Sequence, residues 1–427
     1  MTSDRTTRAV EHRTEPMGIR GWILAIAVTS TLLSQSVNFP AGTFMMLACG
    51  LAIISEVGAR ARNLVELSLP VSLWLSMMCI SLLWSVRFKE SLQANLLWTV
   101  GFVLGYICLR KGRQGRLAII IGSTIAVLAN LAFQILRPAA ATTFLAQSEQ
   151  WRGVMPHKQL LGLLAGVNLV LLIGEFVEEH CLSRFRVALL VLPSVLLLYK
   201  SQSATATVAL LGAVIFTVLF AYTGRHRVLK WCALLATALA AVLYFWRTQN
   251  DTASIITNVA GRNASLTGRT EIWAQAINVG MRRPWAGYGA NALWKGEGLG
   301  FHQGPLDPFS EGIRGVVGYG VSSAHGAIFE MFLGVGLIGL GIFAIALIDV
   351  GLTIRKKFRM PSPGAFSYCI FAVYVGMNFV SESYILYPVG SFMVSLIVFQ
   401  PKTSVQLRLG PVSSDKSIVL ERAVLRA

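Results

Sequence analysis

Residues 117–136 read LAIIIGSTIAVLANLAFQIL, a run of apolar and small polar residues without a single charge. A helix needs roughly 20 such residues to cross a hydrocarbon core about 30 Å thick, so this stretch predicts a membrane-spanning helix. The rest of the chain has the same character, since 54% of its 427 residues are hydrophobic and only 13% are charged. Soluble domains carry about 25% charged residues. The sequence therefore predicts an all-α integral membrane protein.

Twelve segments of this kind are spaced along the chain, and one long polar stretch, residues 247–324, separates the ninth from the tenth. The predicted transmembrane helices lie within residues 20–246 and 325–400, and tails occupy residues 1–19 and 401–427. The long stretch is predicted to form one large loop with short interfacial helices. The twelve spans are expected near residues 20–37, 41–57, 66–85, 94–109, 117–136, 159–175, 186–200, 204–222, 229–246, 325–349, 365–381 and 383–400.

The basic residues behind the net charge of +17 are distributed according to the predicted spans, so the charge does not indicate a nucleic-acid-binding surface. Basic clusters fill the N-terminal tail, every second loop and the C-terminal tail, which is the positive-inside pattern of membrane proteins. We therefore expect both termini in the cytoplasm, the long loop on the outer face, and no nucleic-acid partner. The loop clusters are Arg60/Arg62, Arg110/Lys111/Arg113/Arg116, Arg184/Arg186, Arg225/Arg227/Lys230 and Arg355/Lys356/Lys357/Arg359.

Familiar motifs for metal, nucleotide or covalent chemistry are missing from the sequence. It contains no H-E-x-x-H zinc helix, no G-x-x-x-x-G-K-[ST] phosphate loop and no G-x-S-x-G nucleophile elbow. The six cysteines of the chain avoid the long loop, so neither a disulfide framework nor a cysteine-based metal site is predicted. We expect a protein that works without metal or cofactor, or one that is not an enzyme.

Cations on the outer face are exceptions to the charge pattern and need an explanation of their own. Arg152, His157 and Lys158 lie at the outer membrane edge just before the sixth span. The planar fork of an arginine suits a bidentate phosphate contact. Alternatively, Lys158 extends its ammonium group to the lipid headgroups, and His157 is a packed, hydrogen-bonded histidine without a catalytic role. The next outer turn, residues 200–205, includes Ser203 and is expected to face the same vestibule.

The start of a short helix is predicted inside the long loop. Thr267 suits the N-cap position, and Pro284 ends the helical pattern. Arg269 falls in the first turn, where backbone N–H groups and the helix dipole already favour an anion, so a phosphate would meet both. The alternative is an arginine that anchors an interfacial helix to lipid headgroups.

The end of the long loop carries the remaining candidates. His325 stands at the start of the tenth span, with Glu330 five residues on, and a histidine that titrates near neutrality suits a general base. The alternative is a capping or core histidine. Tyr288 belongs to a segment with three aromatic residues and several glycines, residues 284–294, which suits either sugar stacking or an interfacial aromatic belt.

These segments together resemble the O-antigen ligase and polymerase superfamily. The resemblance covers roughly residues 70–400 and rests on the order and spacing of several short motifs. They are SLLWS at 81–85, WRG at 151–153, HKQLLG at 157–162, SQSAT at 201–205, LTGRTEIW at 266–273, PWAGYG at 284–289, and Ala324-His325 with Glu330 and Gly336. One departure is Gln159, where many members have Asn after His-Lys.

The resemblance implies a GT-C-like glycosyltransferase of the bacterial inner membrane with a large periplasmic loop. Its substrates would be glycans carried by undecaprenyl pyrophosphate and an acceptor glycan. It would work within the lipid bilayer, without metal or cofactor. By position, Arg152 and Arg269 would hold the diphosphate with Lys158 in support, and His325 would activate the acceptor hydroxyl. A chain-length regulator and a flippase would be its partners. The supporting site residues we select are His157, Ser203, Tyr288 and Glu330.

Three functions remain open on the sequence alone. The favoured one is a polymerase of exopolysaccharide or O-antigen repeat units, acting by metal-independent, inverting transfer. A ligase that moves the finished glycan to the lipid A core of lipopolysaccharide has the same motifs. A polysaccharide transporter or assembly partner is the alternative from a different class, but the sequence predicts no internal repeat and no broken helix of the kind found in transporters.

Overall fold

The computed structural model describes residues 17–36, 41–56, 65–145, 148–178, 181–222, 269–293, 323–359 and 364–401. The predicted ninth span, most of the long loop and most of both tails lie outside these ranges. The described chain is mostly helical. Its helices are α1 Ile19–Leu32, α2 Ala41–Glu56, α3 Leu69–Ile80, α4 Phe88–Arg110, α5 Arg113–Leu136, α6 Pro138–Ala141, α7 Lys158–Glu178, α8 Arg184–Ser201, α9 Ala204–Tyr222, α10 Arg269–Gly280, α11 Ala327–Arg359, α12 Ala365–Ser381 and α13 Pro388–Val398.

A helix lies on each predicted span that falls within the described ranges. Four helical stretches are long and apolar enough to cross a membrane, namely α4, α5, α7 and residues Ala327–Lys357 of α11. Six further apolar stretches are only 10–17 residues long. The chain is therefore a membrane protein of mostly helical fold, while the count of twelve crossings stays a prediction. The last span begins later than predicted, because a 3-10 turn, Tyr384–Leu386, precedes Pro388.

Helix α7 forms the centre of the described bundle and packs against α5, α8, α9 and α12. Three glycines on α7 let its neighbours approach closely, as small residues do between membrane helices. A Cβ added at Gly162 would lie 2.5 Å from the Cβ of Ser203, and one at Gly166 would lie 2.0 Å from the hydroxyl of Tyr374. The third, Gly174, meets α12 in the same way. The N-terminal ends of α7 and α9 are thereby held side by side.

A buried polar network ties α7 to two of these neighbours. The side-chain oxygen of Asn168 accepts hydrogen bonds from Ser123 (2.7 Å) and Thr124 (3.2 Å) of α5. Its amide nitrogen donates to the hydroxyl of Ser194 on α8 (2.9 Å). All four side chains are buried. Because an unpaired polar group is costly in an apolar interior, the network fixes the three helices relative to one another.

Four short strands complete the description. β1 Val65–Glu66 pairs antiparallel with β4 Gln400–Pro401. β2 Thr142–Leu145 and β3 Ser148–Trp151 form an antiparallel pair in which Thr142 lies opposite Trp151. The backbone amides of Arg152 and Gly153 both donate to the carbonyl oxygen of Ala141. This pair, called the hairpin below, delivers the chain directly to the start of α7.

Helix α11 is broken at Gly336, which has φ 67° and ψ −167°. The sequence does not predict this break. Residues 284–289 run alongside the break and satisfy the main-chain groups that it frees on both sides. The four hydrogen bonds are Leu337 N to Pro284 O (2.7 Å), Ile338 N to Trp285 O (3.3 Å), Tyr288 N to Leu333 O (2.9 Å) and Gly289 N to Gly334 O (2.8 Å).

Only glycine fits this arrangement. A side chain at φ 67° and ψ −167° would be strained in any surroundings. An added Cβ at Gly336 would also lie 2.3 Å from the carbonyl oxygen of Trp285, and one at Gly287 would lie 2.6 Å from that of Leu333. Gly336 therefore allows α11 to pack closely against an extended segment.

Candidate functional site

The candidate site lies where α7 and α11 begin and α12 ends, which we call the site end of the bundle. The residues before α11 are held from two sides. The hydroxyl of Ser323 accepts the amide of His325 (3.4 Å), and a carboxylate oxygen of Glu330 accepts the amide of Ala324 (2.6 Å). His325 itself has φ 49°, a conformation that is uncommon for residues other than glycine but that histidine adopts more often than most. The turn before α11 thus presents the His325 ring in a fixed direction.

The His325 ring contacts a carboxylate from a distant part of the chain. Its Nδ1 lies 3.1 Å from Oε2 of Glu382, in the connection that follows α12. The Glu382 side chain is only 3% exposed, whereas that of His325 is 32% exposed. One residue later, the hydroxyl of Ser383 accepts the amide of Gly326 (3.1 Å). Residues 323–326 and 381–383 therefore meet through two side-chain contacts.

Glu382 is a site residue that the sequence reasoning missed. Glu382 falls between the last two predicted spans, 365–381 and 383–400, and is not among the residues selected from sequence. The available signal was a single carboxylate between two long apolar stretches, because ionisable residues at such positions usually face a protein interior or a functional cavity. Glu330, in contrast, was selected, and its buried carboxylate serves the backbone of the His325 turn.

His157 lies close enough to His325, Glu382 and Arg152 to respond to their charges. The pKa of His157 falls below its ordinary value, first because surrounding protein partly desolvates the ring. Positive charge on His325 and Arg152 lowers the pKa further, and the Glu382 carboxylate opposes the shift. The structure thus brings together three side chains selected from sequence and one that was not.

Arg152 leaves the hairpin with its guanidinium braced by main-chain carbonyls. One terminal nitrogen donates to the carbonyl oxygen of Ala140 (3.0 Å), and the other lies 3.5 Å from that of Pro156. Its Nε is buried and has no hydrogen-bond partner among the described residues. A cation fixed in this way keeps its charge at the site end with little freedom to move, which suits electrostatic stabilisation of an anion.

The turn between α8 and α9 joins the same end of the bundle. The ammonium of Lys200 lies 5.6 Å from the ring centroid of Trp151, in a cation–π contact with the hairpin. The side-chain amide of Gln202 donates to the carbonyl oxygen of Glu149 (3.3 Å). Ser203 is buried, and its hydroxyl accepts the amide of Ala206 (3.4 Å) at the start of α9. The Ser203 hydroxyl thus serves the helix terminus.

Helix α10 begins at Arg269 and packs against α11. Trp273 donates its indole N–H to the carbonyl oxygen of Ala324 (3.0 Å) and stacks on Phe329, with 5.2 Å between ring centroids. The buried face of α10 also includes Ile272 and Ala276. The helix therefore rests on the turn that carries His325. The Arg269 side chain and the predicted N-cap, Thr267, lie outside the part that the structure describes.

Residues 284–290 are hydrogen-bonded to the SLLWS motif, residues 81–85. The Trp84 indole donates to the carbonyl oxygen of Ala286 (2.8 Å), and the hydroxyl of Ser81 accepts the amide of Ala290 (3.0 Å). Tyr288 is buried, its hydroxyl donates to the carbonyl oxygen of Val279 (2.9 Å), and the Arg283 guanidinium lies 5.3 Å from its ring centroid. Tyr288 thus packs inside the protein.

The remaining selected cation, Lys158, is the first residue of α7 and is half-buried beside His157. Among the described residues, no group of three or more His, Cys, Asp or Glu side chains is arranged to hold a metal ion. What the site end offers is a histidine paired with a buried carboxylate, a second histidine and fixed cations. Such a set can take a proton from a hydroxyl and stabilise negative charge.

Comparison with protein families gives a match over residues 188–344 to the family described as O-antigen ligase. The matched region runs from α8 into α11 and includes Arg269, Tyr288, His325 and Glu330. The hairpin, the start of α7 and Glu382 lie outside it. Comparison with curated proteins found no match.

Proposed function

We propose that this chain, a membrane protein of the O-antigen ligase and polymerase superfamily, polymerises exopolysaccharide or O-antigen repeat units carried by undecaprenyl diphosphate. The observation that carries the proposal is the meeting of His325, Glu382, His157 and Arg152 at one end of the bundle. We place this end on the periplasmic face of the bacterial inner membrane. That face lacks nucleotides, so glycosidic bond formation must draw on a lipid-linked diphosphate.

The chemistry requires one proton transfer and one displacement. His325 accepts the proton of the acceptor sugar hydroxyl, and the oxygen attacks the anomeric carbon of the donor glycan with inversion. The bond from that carbon to the diphosphate breaks, and undecaprenyl diphosphate leaves with the electron pair. Negative charge develops on the leaving group, where Arg152, Arg269 and Lys158 stabilise it. No metal takes part in this scheme.

A single deletion experiment tests the polymerase assignment. In a host that lacks this gene, single repeat units should accumulate on the lipid carrier, and the wild-type gene should restore polymer. A His325→Ala gene should fail to restore it while the protein reaches normal levels in the membrane. Normal polymer from the His325→Ala gene would contradict the proposed base.

The family description favours a second candidate, an O-antigen ligase that transfers a finished glycan to the lipid A core. The same residues would serve, since the donor is again a lipid-linked diphosphate and only the acceptor differs. In the deletion host, a ligase would leave full-length, unattached chains on the lipid carrier. Single repeat units and long chains differ greatly in mass, so a gel of the lipid-linked fraction separates the two functions.

The broken helix α11 raises the question of transport, since transporters build binding sites from interrupted helices. In those sites the freed main-chain groups face the substrate or ion. Here the groups freed at Gly336 are hydrogen-bonded to residues 284–289. We therefore retain the glycosyltransferase and assign export to the partners, a flippase together with a chain-length regulator.

A further inference from the structure

We infer that Glu382 is the positioning residue for His325. Its carboxylate accepts a hydrogen bond from the Nδ1–H group and thereby directs Nε2 toward the acceptor hydroxyl. This inference rests on the proposed function. It adds a residue outside the region that matches the family, since the match ends at residue 344.

The geometry gives Glu382 a fixed position independent of His325. Its backbone amide donates to the carbonyl oxygen of Asn378 (2.9 Å) at the end of α12. The next residue, Ser383, accepts the amide of Gly326. Both partners of the 3.1 Å contact between Nδ1 and Oε2 are thus attached to segments that are themselves joined. The ring is therefore oriented before any substrate arrives.

The contact also selects the imidazole tautomer that a general base needs. A neutral imidazole has one N–H and one lone pair, and a carboxylate can only accept a hydrogen bond. With Glu382 ionised, the proton stays on Nδ1 and the lone pair on Nε2 is left for the substrate. When Nε2 takes the hydroxyl proton, the ring becomes a cation beside a buried carboxylate. Glu382 remains ionised throughout and stabilises that cation.

Other ionisable groups near the pair have different tasks. Glu330 holds the amide of Ala324, so its carboxylate is directed at the backbone. Tyr387, which precedes α13, is half-buried near both Glu330 and Glu382. His157 lies near enough to His325 for the charge of one ring to affect the other. Among these groups, Glu382 makes the direct contact with the His325 ring.

The test compares two substitutions at one position. Each full-length variant is expressed in the deletion host, and membranes are prepared from it. They are supplied with the undecaprenyl-diphosphate-linked repeat units of that host, and initial transfer rates are measured as a function of pH. Glu382→Ala should lower the rate by about 10²–10⁴-fold, close to the loss from His325→Ala. Glu382→Gln keeps the shape of the side chain, but its amide NH2 group can donate to Nδ1 and hold the ring in the wrong tautomer, so a loss of the same order, about 10²–10⁴-fold, is expected.

The pH profile separates positioning from a general structural role. Without the carboxylate the imidazolium is less stable, so the acid limb of the Glu382→Gln profile should move to lower pH. The apparent KM should stay unchanged, because Glu382 does not touch substrate. Glu90→Gln removes a carboxylate from the first turn of α4 and serves as the control, with a rate and acid limb like those of the wild type.

Each outcome decides between the proposals. An inactive His325→Ala enzyme with a Glu382→Ala enzyme near the wild-type rate would overturn the positioning role and leave the proposed function intact. An active His325→Ala enzyme would overturn the proposed base itself. Should Glu382→Ala fail to fold, the Glu382→Gln profile decides alone: an unmoved acid limb would contradict the inference.

Discussion

Trp273 donates its indole N–H to the carbonyl oxygen of Ala324, the residue immediately before His325, over 3.0 Å. The helix that begins at Arg269 is thereby joined to the turn that presents the proposed base. Two ends of one long loop, far apart in sequence, are fixed against each other. The contact gives the first prediction.

Trp273→Phe should lower the transfer rate by up to about tenfold, since it removes a hydrogen bond worth roughly 1 kcal/mol. The stacking on Phe329 would remain, so the protein should still fold. Trp285→Phe is the matched control, because Trp285 is 67% exposed and its side chain should matter little. Initial rates with lipid-linked repeat units would check this, and equal losses in the two variants would argue against a special role for Trp273.

Gly336→Ala should destabilise the protein strongly. The substitution places a side chain in a glycine-only conformation and against the Trp285 carbonyl, which together cost roughly 2–6 kcal/mol of folding free energy. Thermal unfolding in detergent, followed by size-exclusion chromatography, measures the loss. Gly341→Ala, in the same helix with open space around the added Cβ, should be neutral or slightly stabilising. A tolerated Gly336→Ala would show that α11 is not broken there.

Asn168→Ala should lower the folding free energy by about 1–2 kcal/mol, because three side-chain hydrogen bonds between membrane helices average roughly 0.6 kcal/mol each. Asn95→Ala should cost less, since the buried Asn95 amide nitrogen has no hydrogen-bond partner among the described residues. Unfolding temperatures of the two variants in the same detergent make the comparison. A larger loss at Asn95 would contradict the proposed importance of the network.

Acid should weaken the folded state partly through His157. Its pKa is lowered in the folded protein, so the unfolded chain binds the proton more readily. The corresponding stability is present above the ordinary histidine pKa, about 6.5, and is lost as the pH falls through the lower folded value. His157→Gln should therefore lose less stability than the wild type between pH 7.5 and 5. Unfolding temperatures across that range would reveal it, and parallel curves would count against it.

The helix positions could be predicted from sequence because length and apolar content nearly determine them. Residues 113–136 and 158–178 show this most clearly, since their helices match the predicted spans within a few residues. The structure places His157 near both Arg152 and His325, three residues that were selected from sequence. The catalytic and phosphate-binding roles of Arg152, Arg269, Lys158 and His325 stay predictions.

Two features could not be read from the sequence, for related physical reasons. A glycine in an apolar helix usually marks close helix packing, so nothing local distinguishes Gly336 as a break. The break depends on residues 284–289, about fifty positions earlier, supplying hydrogen bonds. The proposed role of Glu382 likewise depends on His325, which lies far away in sequence and close in space.

The hydrogen bonds across the Gly336 break bear on how such proteins can be recombined. Residues 284–289 and residues 333–338 complete each other's main-chain pairing, so neither is a separable module. A chimera that exchanges the long loop between relatives should be built with its boundaries beyond both segments. A graft that divides them would leave polar backbone groups unpaired beside lipid, and the hybrid would be removed as misfolded protein before its specificity could be assayed.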